Sequence, residues 1–120
     1  FDPIWTADTG SHFIHRVNEP WAHLVYEQEE FIDKMRISGS PEDEIIDFKY
    51  GMNQVRLTQY NEIFNAAIVQ NDVELLHRSS WSGLVDHAFE YHPNYKKCID
   101  AGYSDEELKF RGMMFIFRKL

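Results

Sequence analysis

Apolar residues recur at three-to-four spacing along most of the chain, and helix-starting and helix-stopping residues punctuate them. Asn18-Glu19-Pro20 opens the first segment. Trp21, Leu24, Val25, Phe31, Ile32 and Met35 give it one apolar stripe, and Gly39 caps its end. Ser40-Pro41-Glu42-Asp43 restarts the chain with a hydroxyl and first-turn carboxylates. The next stripe is Ile45, Phe48, Met52 and Val55, with Gly51 predicting a close approach of two backbones. Thr58 caps a segment carrying Tyr60, Ile63, Phe64, Ala67 and Ile68. A short helix is predicted over 71–78, with Val73, Leu75 and Leu76. Ser79 or Ser80 starts another, with Trp81, Leu84, Val85, Ala88 and Phe89 inward until Pro93 breaks or kinks it. Tyr95, Cys98 and Ile99 continue to Gly102. Ser104-Asp105-Glu106-Glu107 then opens the last helix.

Short links between such segments make successive helices antiparallel neighbours. The predicted fold is therefore all-α, a stack of antiparallel helical hairpins resembling a helical-repeat superhelix. Residues 1–19 lack a helical period, and Pro3 and Gly10 interrupt them. Their apolar Phe1, Ile4, Trp5, Phe13 and Ile14 predict an extended arm lying on its own domain or on a neighbour. The helical domain spans 20–112, and 113–120 is an apolar tail. That tail, Met113-Met114-Phe115-Ile116-Phe117 followed by Arg118-Lys119-Leu120, either folds back onto the core or inserts into a partner.

Composition narrows the function. At 120 residues, 43% hydrophobic and 15% aromatic, the chain is a single globular domain and not a disordered one. Its large rings exceed what a small core needs, which predicts contact surface. The net charge of −8, with the basic residues scattered, argues against nucleic acid or an anionic membrane surface as the partner. One cysteine, Cys98, excludes an internal disulfide, and a packed structural role fits it better than a reactive one. No apolar run approaches the roughly 20 residues needed to cross a bilayer. The opening Phe1 fits an upstream segment removed from an imported precursor, or a chain cut from a longer one.

Candidate chemistry is sparse. His23 and Glu27 at i, i+4 and His87 and Glu90 at i, i+3 have the spacing of a helical metal site, but bridging carboxylates are only loosely placed. No nucleophile elbow and no glycine-rich phosphate loop is present in the sequence. The reading is therefore no catalytic residues, no metal site, no cofactor and no small-molecule substrate.

Four ordered motifs carry a resemblance. The chain opens Phe1-Asp2-Pro3-Ile4-Trp5 and reaches Asn18-Glu19-Pro20. It then has Pro41-Glu42-Asp43-Glu44-Ile45-Ile46-Asp47 and, near its end, Gly102-Tyr103-Ser104-Asp105-Glu106-Glu107-Leu108. This series resembles subunit Va of mitochondrial cytochrome c oxidase, an all-helical accessory subunit on the matrix side. The segment around Tyr26 to Phe31, the single Arg56 and the tail from Met113 depart from the family pattern. The resemblance implies a non-catalytic subunit, peripheral on the inner membrane, contacting other protein subunits of a membrane complex. The expected partner contacts are Trp5, Phe13, Met113, Phe115 and Phe117. Rival readings are a small acidic inhibitor or immunity-type protein and a helical metalloenzyme.

Overall fold

The computed structural model describes residues 2–120, so Phe1 and its expected part in the arm lie outside the described residues. The elements are α1 (Ala22–Val25), α2 (Gln28–Ile37), α3 (Glu42–Ile46), α4 (Leu57–Val69), β1 (Val73–Ser82), α5 (Pro93–Asp100), α6 (Asp105–Lys109) and β2 (Phe110–Lys119). A π turn, Asp47–Gly51, prolongs α3, and a 3-10 turn, His87–Tyr91, precedes α5. β1 and β2 form one antiparallel two-stranded ribbon. The fold is thus mixed α/β, which overturns both the all-α class and the predicted stack of helical hairpins.

The correction has local causes. Residues 73–82 are a strand rather than parts of two helices, and the apolar tail is the strand that pairs with it. Leu75 and Leu76 sit side by side where the ladder slips between Leu75 and His77, so the bulge disguises the two-residue period. β2 has the aromatic and branched content of a strand, Phe115-Ile116-Phe117, but its partner lies about 40 residues earlier and no local pattern names it. Pro93 does not break a helix: it stands in the first turn of α5, and His92 Nδ1 accepts the Asn94 N–H at 3.1 Å.

The arm is not extended either. It coils through successive turns, with Ala7 N–H donating to Ile4 O, Gly10 N–H to Ala7 O and Val17 N–H to Phe13 O. Gly10 is forced by this coil. A Cβ there would lie 2.2 Å from the Trp5 carbonyl oxygen, and backbone cannot step aside. At Gly51, by contrast, a Cβ would meet only Asp47 at 3.9 Å, so the predicted close approach is absent.

The coil supplies side chains to two of three buried clusters. Phe13 and Val17 join Phe31, Ile32, Met35, Ile45 and Phe48 from α2, α3 and the π turn. Ile4 and Ala7 meet Leu57, Tyr60 and Met113. The third cluster is Trp21, Cys98 and Leu108. Trp21 opens α1 in left-handed backbone, φ 54°, at a cost of about 1–3 kcal/mol. Complete burial of the indole and a hydrogen bond from its Nε1 to Leu108 O at 3.3 Å offset that cost.

Two charged clamps tie the layers together. Asp8 is buried. Its carboxylate accepts Val85 N–H at 2.7 Å and an Arg111 Nη1 contact at 3.3 Å. Glu107, in α6, receives Arg56 in bidentate fashion at 2.5 and 2.7 Å and also accepts the Ser104 N–H as a capping box. The Arg56 guanidinium lies 4.5 Å from the Tyr103 ring centroid.

Candidate functional site

The molecule is elongated, 49 × 32 × 22 Å, with a radius of gyration of 16.0 Å where a compact chain of this length has about 14 Å. α4 and the ribbon form one lobe. α4 runs along one face of the ribbon, where Phe64 meets Phe115 at 4.3 Å and Phe117 at 5.2 Å between ring centroids. Phe115 and Phe117 stack at 5.8 Å with planes 4° apart, and Arg78 lies 5.5 Å from the Phe115 centroid. Leu57, Tyr60 and Met113 root the lobe in the second cluster.

Side chains alternate across a strand. Met113, Phe115 and Phe117 face α4, so Met114 and Ile116 fall on the opposite, outer face. Trp81, Ser79 and His77 lie across from Gly112, Met114 and Ile116 and share that face. Exposure confirms the division: Met113 is 1% exposed, whereas Met114 is 47% and Ile116 48% exposed. Of the fourteen large apolar side chains exposed among the described residues, eight belong to this lobe or its last residue. They include Ile63 and Val69 on α4, Leu76 and Trp81 on β1 and Leu120. Charge is segregated too. β1 and β2 hold Arg78, Arg111, Arg118 and Lys119 against the single Glu74, while the rest of the chain holds eight basic and nineteen acidic residues. A cationic, half-apolar ribbon therefore adjoins a strongly acidic body.

At the ribbon base a cleft of about 400 Å³ opens between Trp81 and α6, lined also by Ser80, Ser82, Asp105, Glu106, Lys109 and Phe110. The Trp81 indole Nε1 donates to Asp2 Oδ2 at 3.1 Å, which fixes the ring at the rim. Lys109 is held between Asp105 at 3.0 Å and Glu90 at 3.1 Å, and the hydrogen bond to Asp105, then that to Glu90, raises its pKa. Glu106 makes no ion pair among the described residues. A second cleft of about 270 Å³ lies between the N-terminal coil and residues 51–53. Its polar groups are engaged with one another: Asn53 Nδ2 donates to Tyr60 Oη at 2.9 Å, and His12 Nε2 sits 3.2 Å from Pro3 O.

The expected contact residues fall in different places. Phe13 and Met113 are core, at 7% and 1% exposure. Trp5 is half-buried, edge-on to His23 at 4.5 Å and 6.1 Å from Phe48. Phe115 and Phe117 are half-buried in the lobe against Phe64. The fold brings Met113, Phe115 and Phe117 onto one strand face and keeps Phe13 in a separate cluster. The outer-face residues Leu76, Trp81, Met114 and Ile116 were missed. Recognising 113–117 as a strand would have assigned Met114 and Ile116 to their own face.

The histidine and carboxylate spacings do not converge. His23 is buried with its Nε2 2.5 Å from Trp5 O, and desolvation lowers its pKa to about 4. His87 and Glu90 sit in an exposed 3-10 turn, and Glu90 is used by Lys109. Among the described residues no three His, Cys, Asp or Glu side chains gather to hold a metal ion. Burial pushes the Cys98 thiol up to about 11, which keeps it protonated and unreactive at neutral pH. No helix among the described residues is long and apolar enough to cross a membrane. Compared with protein-family models, with curated proteins and with solved structures, the chain matches none.

Proposed function

We propose that this chain is a non-catalytic accessory subunit that joins a larger protein assembly through the α4–ribbon lobe. The observation that carries the reading is the concentration of exposed large apolar side chains on a lobe whose ribbon is cationic in an otherwise acidic molecule. Surfaces of this kind lose apolar area to water when free and bury it on docking. The lobe is rooted by Leu57, Tyr60 and Met113, so it is presented as a shaped surface rather than as a loose tail.

Isolation of the intact chain from its native cells under mild conditions tests this. The expected result is a fixed stoichiometry with other subunits, lost on replacing Ile63 and Val69 by Asp while circular dichroism is unchanged. Recovery as a free chain, or an assembly indifferent to both changes, overturns the reading. The narrower form, in which the assembly is the mitochondrial oxidase and the chain sits on its matrix side, is supported by the four ordered motifs. It predicts that the isolated assembly carries the absorption of haem.

A further inference from the structure

Adjacent carboxylates of α6 meet different surroundings. Glu107 is buried and grips Arg56 in bidentate fashion, while the guanidinium lies 4.5 Å from the Tyr103 ring centroid. A carboxylate and an aromatic ring thus hold one planar cation of this chain. Glu106, the residue before it, is exposed and lines the cleft of about 400 Å³ at the ribbon base, with Trp81. It makes no ion pair among the described residues. The other charges there are engaged: Asp105 receives Lys109 and Tyr95 Oη, and Lys109 is shared between Asp105 and Glu90. The lining therefore carries two carboxylates against one ammonium. Trp81 supplies the aromatic wall. Its cross-strand neighbour, Gly112, brings no side chain over the indole, and the ring is 38% exposed. The indole Nε1 donates to Asp2 Oδ2 at 3.1 Å. A carboxylate on that N–H pushes electron density into the ring and strengthens its attraction for a cation.

We infer that this cleft binds the arginine side chain of a partner polypeptide, with the guanidinium on the Trp81 indole and its fork on Glu106. A guanidinium suits the cleft better than an ammonium. It is planar and weakly hydrated, it stacks on a ring, and it meets a carboxylate with two parallel N–H bonds. The hydroxyls of Ser80 and Ser82 on the same lining are further acceptors. Free arginine is a poorer ligand. Its α-carboxylate would meet Asp105 and Glu106, and the cleft's one cation, Lys109, is already held by two carboxylates. Within a polypeptide that charge is absent. The net charge of −8 also steers a basic partner toward the chain. The inference rests on the accessory reading only for the existence of a partner, and it names the chemistry that partner presents at the ribbon base.

Titration of the pure, isotope-labelled full chain with acetyl-arginine methylamide at neutral pH tests it, read by NMR on the indole N–H signals, with Trp81→Phe identifying the signal of Trp81. The expected result is a saturable shift of that signal while the signal of the buried Trp21 stays in place. Acetyl-citrulline methylamide, which has nearly the same shape and no charge, should bind at least about tenfold more weakly, and Glu106→Gln should raise the dissociation constant of the arginine derivative by about the same factor. Glu106 is exposed, so circular dichroism should not change. Absence of a saturable shift overturns the proposal, as does equal binding of the citrulline derivative or indifference to Glu106→Gln. Tighter binding of free arginine than of its acetyl methylamide derivative overturns the polypeptide source. A chain that binds the derivative yet enters no assembly refutes the accessory role alone. A chain that enters an assembly without binding the derivative refutes this inference alone.

Discussion

Two phenylalanine pairs have nearly the same ring separation and opposite surroundings. In the body, Phe31 and Phe48 lie 4.4 Å apart with planes 25° from parallel, at 1% and 2% exposure. In the lobe, Phe64 and Phe115 lie 4.3 Å apart, and both are only half-buried. Ring-to-ring attraction, about 0.5–1.5 kcal/mol beyond area burial, is similar in the two. What differs is the second shell of neighbours. The body stack is enclosed by Phe13, Ile32, Met35 and Ile45, whereas the lobe stack has α4 on one side and a two-stranded ribbon on the other. An aromatic pair therefore marks where chain segments meet, and its enclosure decides how much stability it carries.

The most direct way to break this comparison is to empty each stack. Phe48→Ala should cost about 4 kcal/mol in urea unfolding, because the cavity is sealed on every side. If Phe117→Ala cost as much, the lobe would be as enclosed as the body and the contrast would be wrong.

Acid sharpens the contrast next, because the body holds a buried imidazole. Unfolded histidine takes up its proton near pH 6.5, but His23 in the fold resists protonation until about pH 4. Between those values the unfolded chain binds more protons, so stability falls as pH drops and levels off below about 4. The loss is about 3 kcal/mol in total. Thermal melts across this window should show the slope, and His23→Gln should flatten it. Glu19, held low chiefly by Tyr26, and Glu44, held low chiefly by Arg16, add their losses only at more acidic pH.

A smaller effect comes from the junction of the two regions. Glu107→Gln leaves Arg56 without its charged partner at a site where the carboxylate is 6% exposed, and it should cost about 2 kcal/mol by guanidinium titration. Smallest, Phe117→Ala should cost about 1–2 kcal/mol. Hydrogen exchange should then accelerate in β1 and β2 while α2 and α5 stay protected. Uniform acceleration would mean that the lobe and body open together.

The body was more legible in the sequence than the lobe, for the same reason. Phe31, Ile32 and Met35 on α2 and Ile45 and Phe48 after it are buried as their spacing predicts. Gly39 and Gly102 take positive φ, 87° and 99°, where a helix-ending cap requires it, and Ser104 caps α6. These features are local, so neighbouring residues encode them. The ribbon is not local. Half-exposed strands show no clean alternation, the bulge at Leu76 mimics a helical doublet, and α4, which covers the inner face, precedes both strands. The coil of residues 2–18 does not show in the sequence, because its turns depend on Gly10 meeting the Trp5 carbonyl and on Asp8 reaching Val85 and Arg111, contacts that no periodicity announces.

No connecting segment separates α6 from β2: the helix ends at Lys109 and the strand begins at Phe110. One turn before that junction, Glu107 grips Arg56, the residue that immediately precedes α4. The entries to α4 and to β2 are thus pinned by the same pair of side chains. A pull on the tip is therefore relayed to this pair, to the Arg111–Asp8 contact and to the Leu57, Tyr60 and Met113 cluster, which share the load at the base of the lobe.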